Sequence, residues 1–134
     1  MKPLIPLLAA AAVATATAQA AEPEVVVIGN PAAQALTKEQ VADFFLGKSQ
    51  GMKLLDLPSS APVKAVFYQK VSGHDLSQVK ATWARLIFTG KAHAPKEVAD
   101  AAAVKKAVAE DPKALGYIQK SEVDSSVKVL LTLE

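Results

Sequence analysis

The residues with reactive or ligand-binding potential are few in this chain, and the run Gly47-Lys48-Ser49 stands out first, because glycine, lysine and a hydroxyl in that order close a phosphate-cradling loop. Such a loop needs a further glycine at the position that Ala42 occupies, and Ala42 falls within helical spacing. The run also stands where a helix ends, and carbonyl dipoles there repel anions. We therefore read Gly47 as a helix stop. His74 and His93 lie in loops, with no spacing that links them to a carboxylate, a nucleophile or a metal ligand, and are expected to face solvent. Arg85 is the only arginine. It could grip an oxyanion in bidentate fashion, but its place beside Trp83 favours a structural role, its stem covering apolar surface and its head pairing with a carboxylate. The best anion site is the stretch Ser59, Ser60 and Lys64, where two hydroxyls, free helix-start N–H groups and one lysine could converge. The same residues would equally make an ordinary serine-capped helix. No catalytic residue and no metal site can be assembled, so an enzyme and a cofactor are not expected.

The elements that would carry these residues follow from spacing. "VVVIG" at 25–29 is a β-branched run without alternation, as in a strand buried on both faces, and Asn30-Pro31 stops it. "LTKEQVADFFLG" reads as a helix with a Thr37/Gln40 capping box and a Val41, Phe44, Phe45 face. A strand "MKLLDLP" follows, then the helix "SSAPVKAVFYQKV" with Ser59, Ser60 and Pro62 in its first turn and an apolar stripe of Val63, Val66, Phe67 and Val71. Asp75 and Gln78 open another helix, which carries Leu76, Val79, Trp83, Leu86 and Ile87 at helical spacing until Gly90. A loop with His93 and Pro95 leads to a helix between Asp100 and Pro112, and "LGYIQ" and "VKVLLTL" close the chain as strands. The order describes an α/β domain, a small mixed sheet flanked by about four helices.

Composition narrows the class. Residues 1–20 have a positive start, an apolar stretch and an Ala18-Gln19-Ala20 cleavage signature, so they read as a secretory signal, leaving 21–134 as one domain. No later apolar run is long enough to span a membrane, so a periplasmic or secreted protein is expected. The chain has no cysteine, which removes disulfides and thiolate metal sites, and a lipoprotein-type anchor is not expected. Without Lys2 there are 14 basic against 13 acidic side chains. That near-neutral balance argues against nucleic acid as a partner.

The segments "VVVIGNPAAQALTKEQVADFFLGK", "FYQKV", "WARLIFTGK", "VKKAVAEDPKALGYI" and "VKVL" together resemble the periplasmic substrate-binding proteins of phosphate ABC transporters, in a short single-lobe form. "LTKEQVADFFLGK" and "DPKALGYI" carry the resemblance most specifically. It implies one lobe of a periplasmic-binding-protein-like fold. It further implies a non-enzymatic, exported protein that binds phosphate or another small oxyanion, or an accessory module that has lost its ligand and docks on a transporter, a sensor or a second copy of itself. In full-length members the second lobe carries an Arg-x-Asp-Gly-Ser-Gly-Thr type of loop before its helix. The matching stretch here is "LPSSAPVK", with Leu57 at the arginine, Ala61 at the central serine and Val63 at the threonine. The first lobe has no counterpart.

Overall fold

The computed structural model describes residues 23–90 and 92–133. The proposed signal, residues 1–20, lies outside them. The elements run β1 (Val25–Gly29), α1 (Lys38–Phe45), β2 (Lys53–Asp56), α2 (Pro62–Ser72), α3 (Leu76–Phe88), β3 (Lys96–Glu97), α4 (Ala101–Glu110), β4 (Ala114–Gln119) and β5 (Lys128–Leu133). They form one mixed sheet in the order β3-β2-β4-β1-β5. β2 runs parallel to β3 and β4, whereas β1 is antiparallel to both β4 and β5. The sequence placed only a loop at Lys96–Glu97. The structure makes it a two-residue strand on β2, too short to show a periodicity of its own.

Every residue of β1 is buried, as its unalternating β-branched pattern requires. Adjacent strand residues point to opposite faces, and β4 shows what covers each. A side chain at Gly116 would collide with Val104 of α4, while the next ring, Tyr117, stacks on Phe67 of α2 at 3.9 Å between centroids and 5° between planes. Thus α4 and α2 occupy opposite faces of the sheet. Phe45 of α1 adds an edge-on contact to Phe67 at 4.8 Å.

Local signals set the helix ends. Thr37/Gln40 and Asp75/Gln78 form reciprocal capping boxes, and Asp100 caps α4 through the Ala103 N–H at 3.0 Å. After α1, Gly47 takes φ 77°, Lys48 N–H donates to the Asp43 carbonyl at 2.8 Å, and Gly47 N–H donates to the Phe44 carbonyl at 3.1 Å. This pair of bonds is a Schellman motif. Gly47 is needed for a second reason: a Cβ there would run into Leu86 and lie 3.2 Å from the Trp83 ring. The indole N–H of Trp83 in turn donates to the Phe45 carbonyl at 2.8 Å, satisfying one of the orphan carbonyls of the last turn of α1.

Candidate solute cleft at the carboxyl end of β2

In an open α/β sheet, the crevice beyond the carboxyl ends of parallel strands is where ligands bind. β2 and β3 end at Asp56 and Glu97, and between those ends, the entry to α2 and one face of α3 lies a cleft of about 460 Å³. Asp56, Ser59 and Lys64 contribute from the β2–α2 side. Leu76, Ser77, Val79, Lys80 and Trp83 form the α3 wall, and Ala94, Pro95 and Glu97 close the β3 side. The α3 residues recur at helical spacing, so one stripe of that helix faces the cleft.

The predicted site residues are only partly brought together. Ser59 and Lys64 line the cleft, whereas Ser60 is exposed in the same turn and is not among its lining residues. Neither serine lies within α2, which begins at Pro62 with Ala61 at the N-cap and no side-chain cap. The serine-capped alternative is therefore not what the structure contains. Proline at the first helical position sets the entry, and the turn is closed by Ala61 N–H donating to the Pro58 carbonyl at 2.9 Å. His74 is half-buried rather than solvent-facing and bonds only within its own turn, its N–H donating to Ser72 Oγ at 3.3 Å and its Nδ1 lying 2.9 Å from the Ser72 carbonyl. His93 lines a separate groove of about 420 Å³ on the other side of β2, with Met52, Leu54, Lys96 and Ala107. Arg85 is exposed.

Asp56 is the residue that the spacing arguments missed. It is a carboxylate only 7% exposed. The Tyr68 hydroxyl donates to its Oδ2 at 2.8 Å, the Tyr117 hydroxyl donates to its Oδ1, and Leu57 N–H donates to Oδ1 at 2.9 Å. Lys64 Nζ lies 3.7 Å from Oδ2 and 4.0 Å from Glu97 Oε2. A buried carboxylate must be hydrogen-bonded and paired to be tolerated, and this one is both. Burial first, and the Asp56 charge second, push both tyrosine hydroxyls far above their ordinary pKa, so they remain donors throughout the physiological range. One signal in the sequence pointed here: an acidic residue in the middle of the otherwise apolar run "LLDLP" must find partners when it is buried. Lys64, expected to be free for an anion, is already paired with Asp56 and lies at the limit of contact with the exposed Glu97.

Among the described residues no group of acidic and histidine side chains could hold a metal, and no helix is long and apolar enough to cross a membrane. No protein-family model matches the chain, and no curated protein does. Solved structures do. One is a protein assigned as a phosphate ABC transporter substrate-binding protein of Clostridium perfringens, solved with phosphate bound: TM-score 0.63, 18% identity, 81% of this chain and 44% of that one. Another is an ABC-type phosphate transport receptor of Vibrio cholerae: TM-score 0.63, 20% identity, 81% of this chain and 45% of that one. A protein of Planctomyces limnophilus described in terms of phosphate binding matches with TM-score 0.57 at 15% identity, over 81% and 40% of the two chains. The chain spans less than half the length of each. A four-helix, five-stranded lobe with these neighbours has the periplasmic-binding-protein-like fold seen in part of the phosphate ABC transporter substrate-binding proteins.

Proposed function

We propose that this is an exported, non-enzymatic solute-binding domain, and that its solute is a small molecule bearing an oxyanion group. The observation that carries this reading is the cleft at the carboxyl end of β2, where Ser59 and Lys64 meet beside a helix start without a side-chain cap. The helix dipole favours an anion at such a start, although Pro62 has no N–H and the Ala61 and Lys64 N–H groups already donate to the Pro58 and Ala61 carbonyls, so the side chains and the dipole carry the contact. Ser59 and Lys64 are the contacts, and Ser60 completes the turn that presents them. The phosphate-binding character of the neighbouring structures supports an oxyanion, but the match at the turn itself is poor: Leu57, Ala61 and Val63 cannot bind one through their side chains. Charged hydrogen bonds contribute about 1.5 to 3 kcal/mol each. With so few of them, affinity falls in the millimolar range, about 4 kcal/mol.

Isothermal titration of the secreted form with phosphate and with sulfate tests the reading. Heat that saturates at millimolar ligand and disappears in Ser59→Ala and Lys64→Ala is the expected outcome. No heat at that concentration refutes binding of a free inorganic oxyanion through Ser59 and Lys64 and turns attention to the alternative function, a protein-interaction or sensor-accessory module, tested by pull-down from periplasmic extract.

A further inference from the structure

The charges around the cleft define the solute more narrowly than an oxyanion. Lys64 is the only largely buried cation at the site, its side chain 13% exposed, and two carboxylates stand within 4.0 Å of it. Any dianion that approached Lys64 would approach Asp56 and Glu97 as well, and like charges brought together in a partly dehydrated site repel strongly. Asp56 cannot turn aside, because two tyrosine hydroxyls and the Leu57 N–H hold it.

Two other charges remain available. Lys80 lines the cleft and pairs with no carboxylate among the described residues. Glu97 has a side chain 58% exposed, and its contact to Lys64 is long. Leu76, Val79, Trp83 and Pro95 add apolar surface to the same cleft. A cavity of about 460 Å³ falls within the range of small-molecule sites. Beyond the Asp56–Lys64 pair it thus presents one further cation, one further anion and apolar surface, a complement for a ligand that carries both signs and an aliphatic group.

We infer that the solute of this cleft is a small zwitterion of the amino-acid type with an apolar side chain. Its ammonium meets Glu97, its carboxylate meets Lys80 and the Ser59 and Ser77 hydroxyls, and its side chain lies on the Trp83 wall. This rests on the solute-binding reading above and replaces phosphate with a carboxylate as the bound oxyanion. Trp83 is the only tryptophan and lines the cleft, so its emission reports occupancy directly.

The test is a titration of the secreted form with L-leucine, with isocaproate (leucine without its ammonium), with isoamylamine (leucine without its carboxylate) and with inorganic phosphate, read by calorimetry and Trp83 emission. Leucine is expected to bind, with either half-ligand and phosphate at least about tenfold weaker, a charge-assisted hydrogen bond being lost in each half-ligand. Glu97→Gln and Lys80→Ala are each expected to weaken leucine by about tenfold with the unfolding midpoint unchanged. Lys64-dependent phosphate binding without leucine binding overturns the zwitterion and leaves the solute-binding reading standing. Binding of none of the four overturns both. Leucine binding that neither substitution weakens overturns the placement in this cleft.

Discussion

Removing the Asp56 carboxylate is expected to cost more stability than any other single polar change in the domain. In Asp56→Ala, the hydroxyls of Tyr68 and Tyr117 lose their acceptor while both residues stay fully buried. Each such orphan costs about 1 to 3 kcal/mol. Lys64 loses its nearest counter-charge with its side chain 13% exposed. Breaking a buried pair from one side costs about 3 to 5 kcal/mol. These losses overlap, since the groups share one network, so the expected total is about 4 to 6 kcal/mol. A single domain has only about 5 to 15 kcal/mol in all. Urea unfolding, followed by far-ultraviolet circular dichroism and Trp83 emission, measures the difference. Tyr117→Phe keeps the stacked ring and removes one donor, so a loss of about 1 to 2 kcal/mol is expected there. It supplies the readout if Asp56→Ala does not fold. A loss below about 1 kcal/mol in Asp56→Ala would refute the view that this network holds β2, α2 and β4 together.

Asp56→Asn is expected to lower stability by about 2 kcal/mol, since an amide N–H₂ faces the Lys64 ammonium, yet to strengthen binding of simple oxyanions by releasing that lysine. Calorimetry beside urea unfolding reads both effects. Both tyrosine hydroxyls are pushed up, so their contribution is complete below the unfolded tyrosine value near 10 and is lost as pH rises beyond it, at up to about 1.4 kcal/mol per pH unit for each. Tyrosinate absorbance should therefore appear together with alkaline unfolding rather than before it. The Ser126 hydroxyl first, then Lys105 and the Ser126 N–H, hold Asp124 down to about 2. A lowered carboxylate contributes above its unfolded value and loses that contribution as pH falls toward the folded one; a carboxyl NMR titration of Asp124 in Lys105→Ala should show its midpoint move upward. Gly47→Ala combines a left-handed backbone with a collision against Leu86 and is expected to cost about 2 to 3 kcal/mol, read as a lowered unfolding midpoint.

What could be read from the sequence was whatever has a local cause. Thr37/Gln40, Asp75/Gln78 and Asp100 cap their helices through residues three positions away, so those starts are visible in a single line of residues. The buried run of β1 and the stop at Gly47 are equally local. The polar network is not, because Asp56 and Tyr117 are 61 residues apart and meet only after β2 and β4 pair in parallel. Tyr68 stands one position beyond Phe67 of the α2 stripe and was not among the residues read as apolar there, yet it is fully buried, its hydroxyl satisfied by Asp56. The α2 start illustrates the opposite error. Serines ahead of a proline look like caps, but Pro62 supplies the first-turn geometry itself, and the serines remain in the turn before it.

The same lysine serves two demands, and the structure shows which one is met. An anion-binding lysine works when its charge is uncompensated, whereas a carboxylate buried as Asp56 is needs that charge beside it. At about 4 Å and an effective dielectric of about 20, the Coulomb attraction of such a pair is roughly 4 kcal/mol before desolvation is counted, the scale of the whole affinity of a millimolar ligand. A free dianion would have to compete with Asp56 for Lys64 and would meet the like charge of Glu97 beside it. A ligand that leaves the pair intact, and takes instead the spare charges of Lys80 and Glu97, escapes that competition. On the proposed solute reading, the network that stabilises the fold also limits the ligand: with Lys64 paired to Asp56 of β2, a molecule of mixed charge suits the cleft better than a free phosphate.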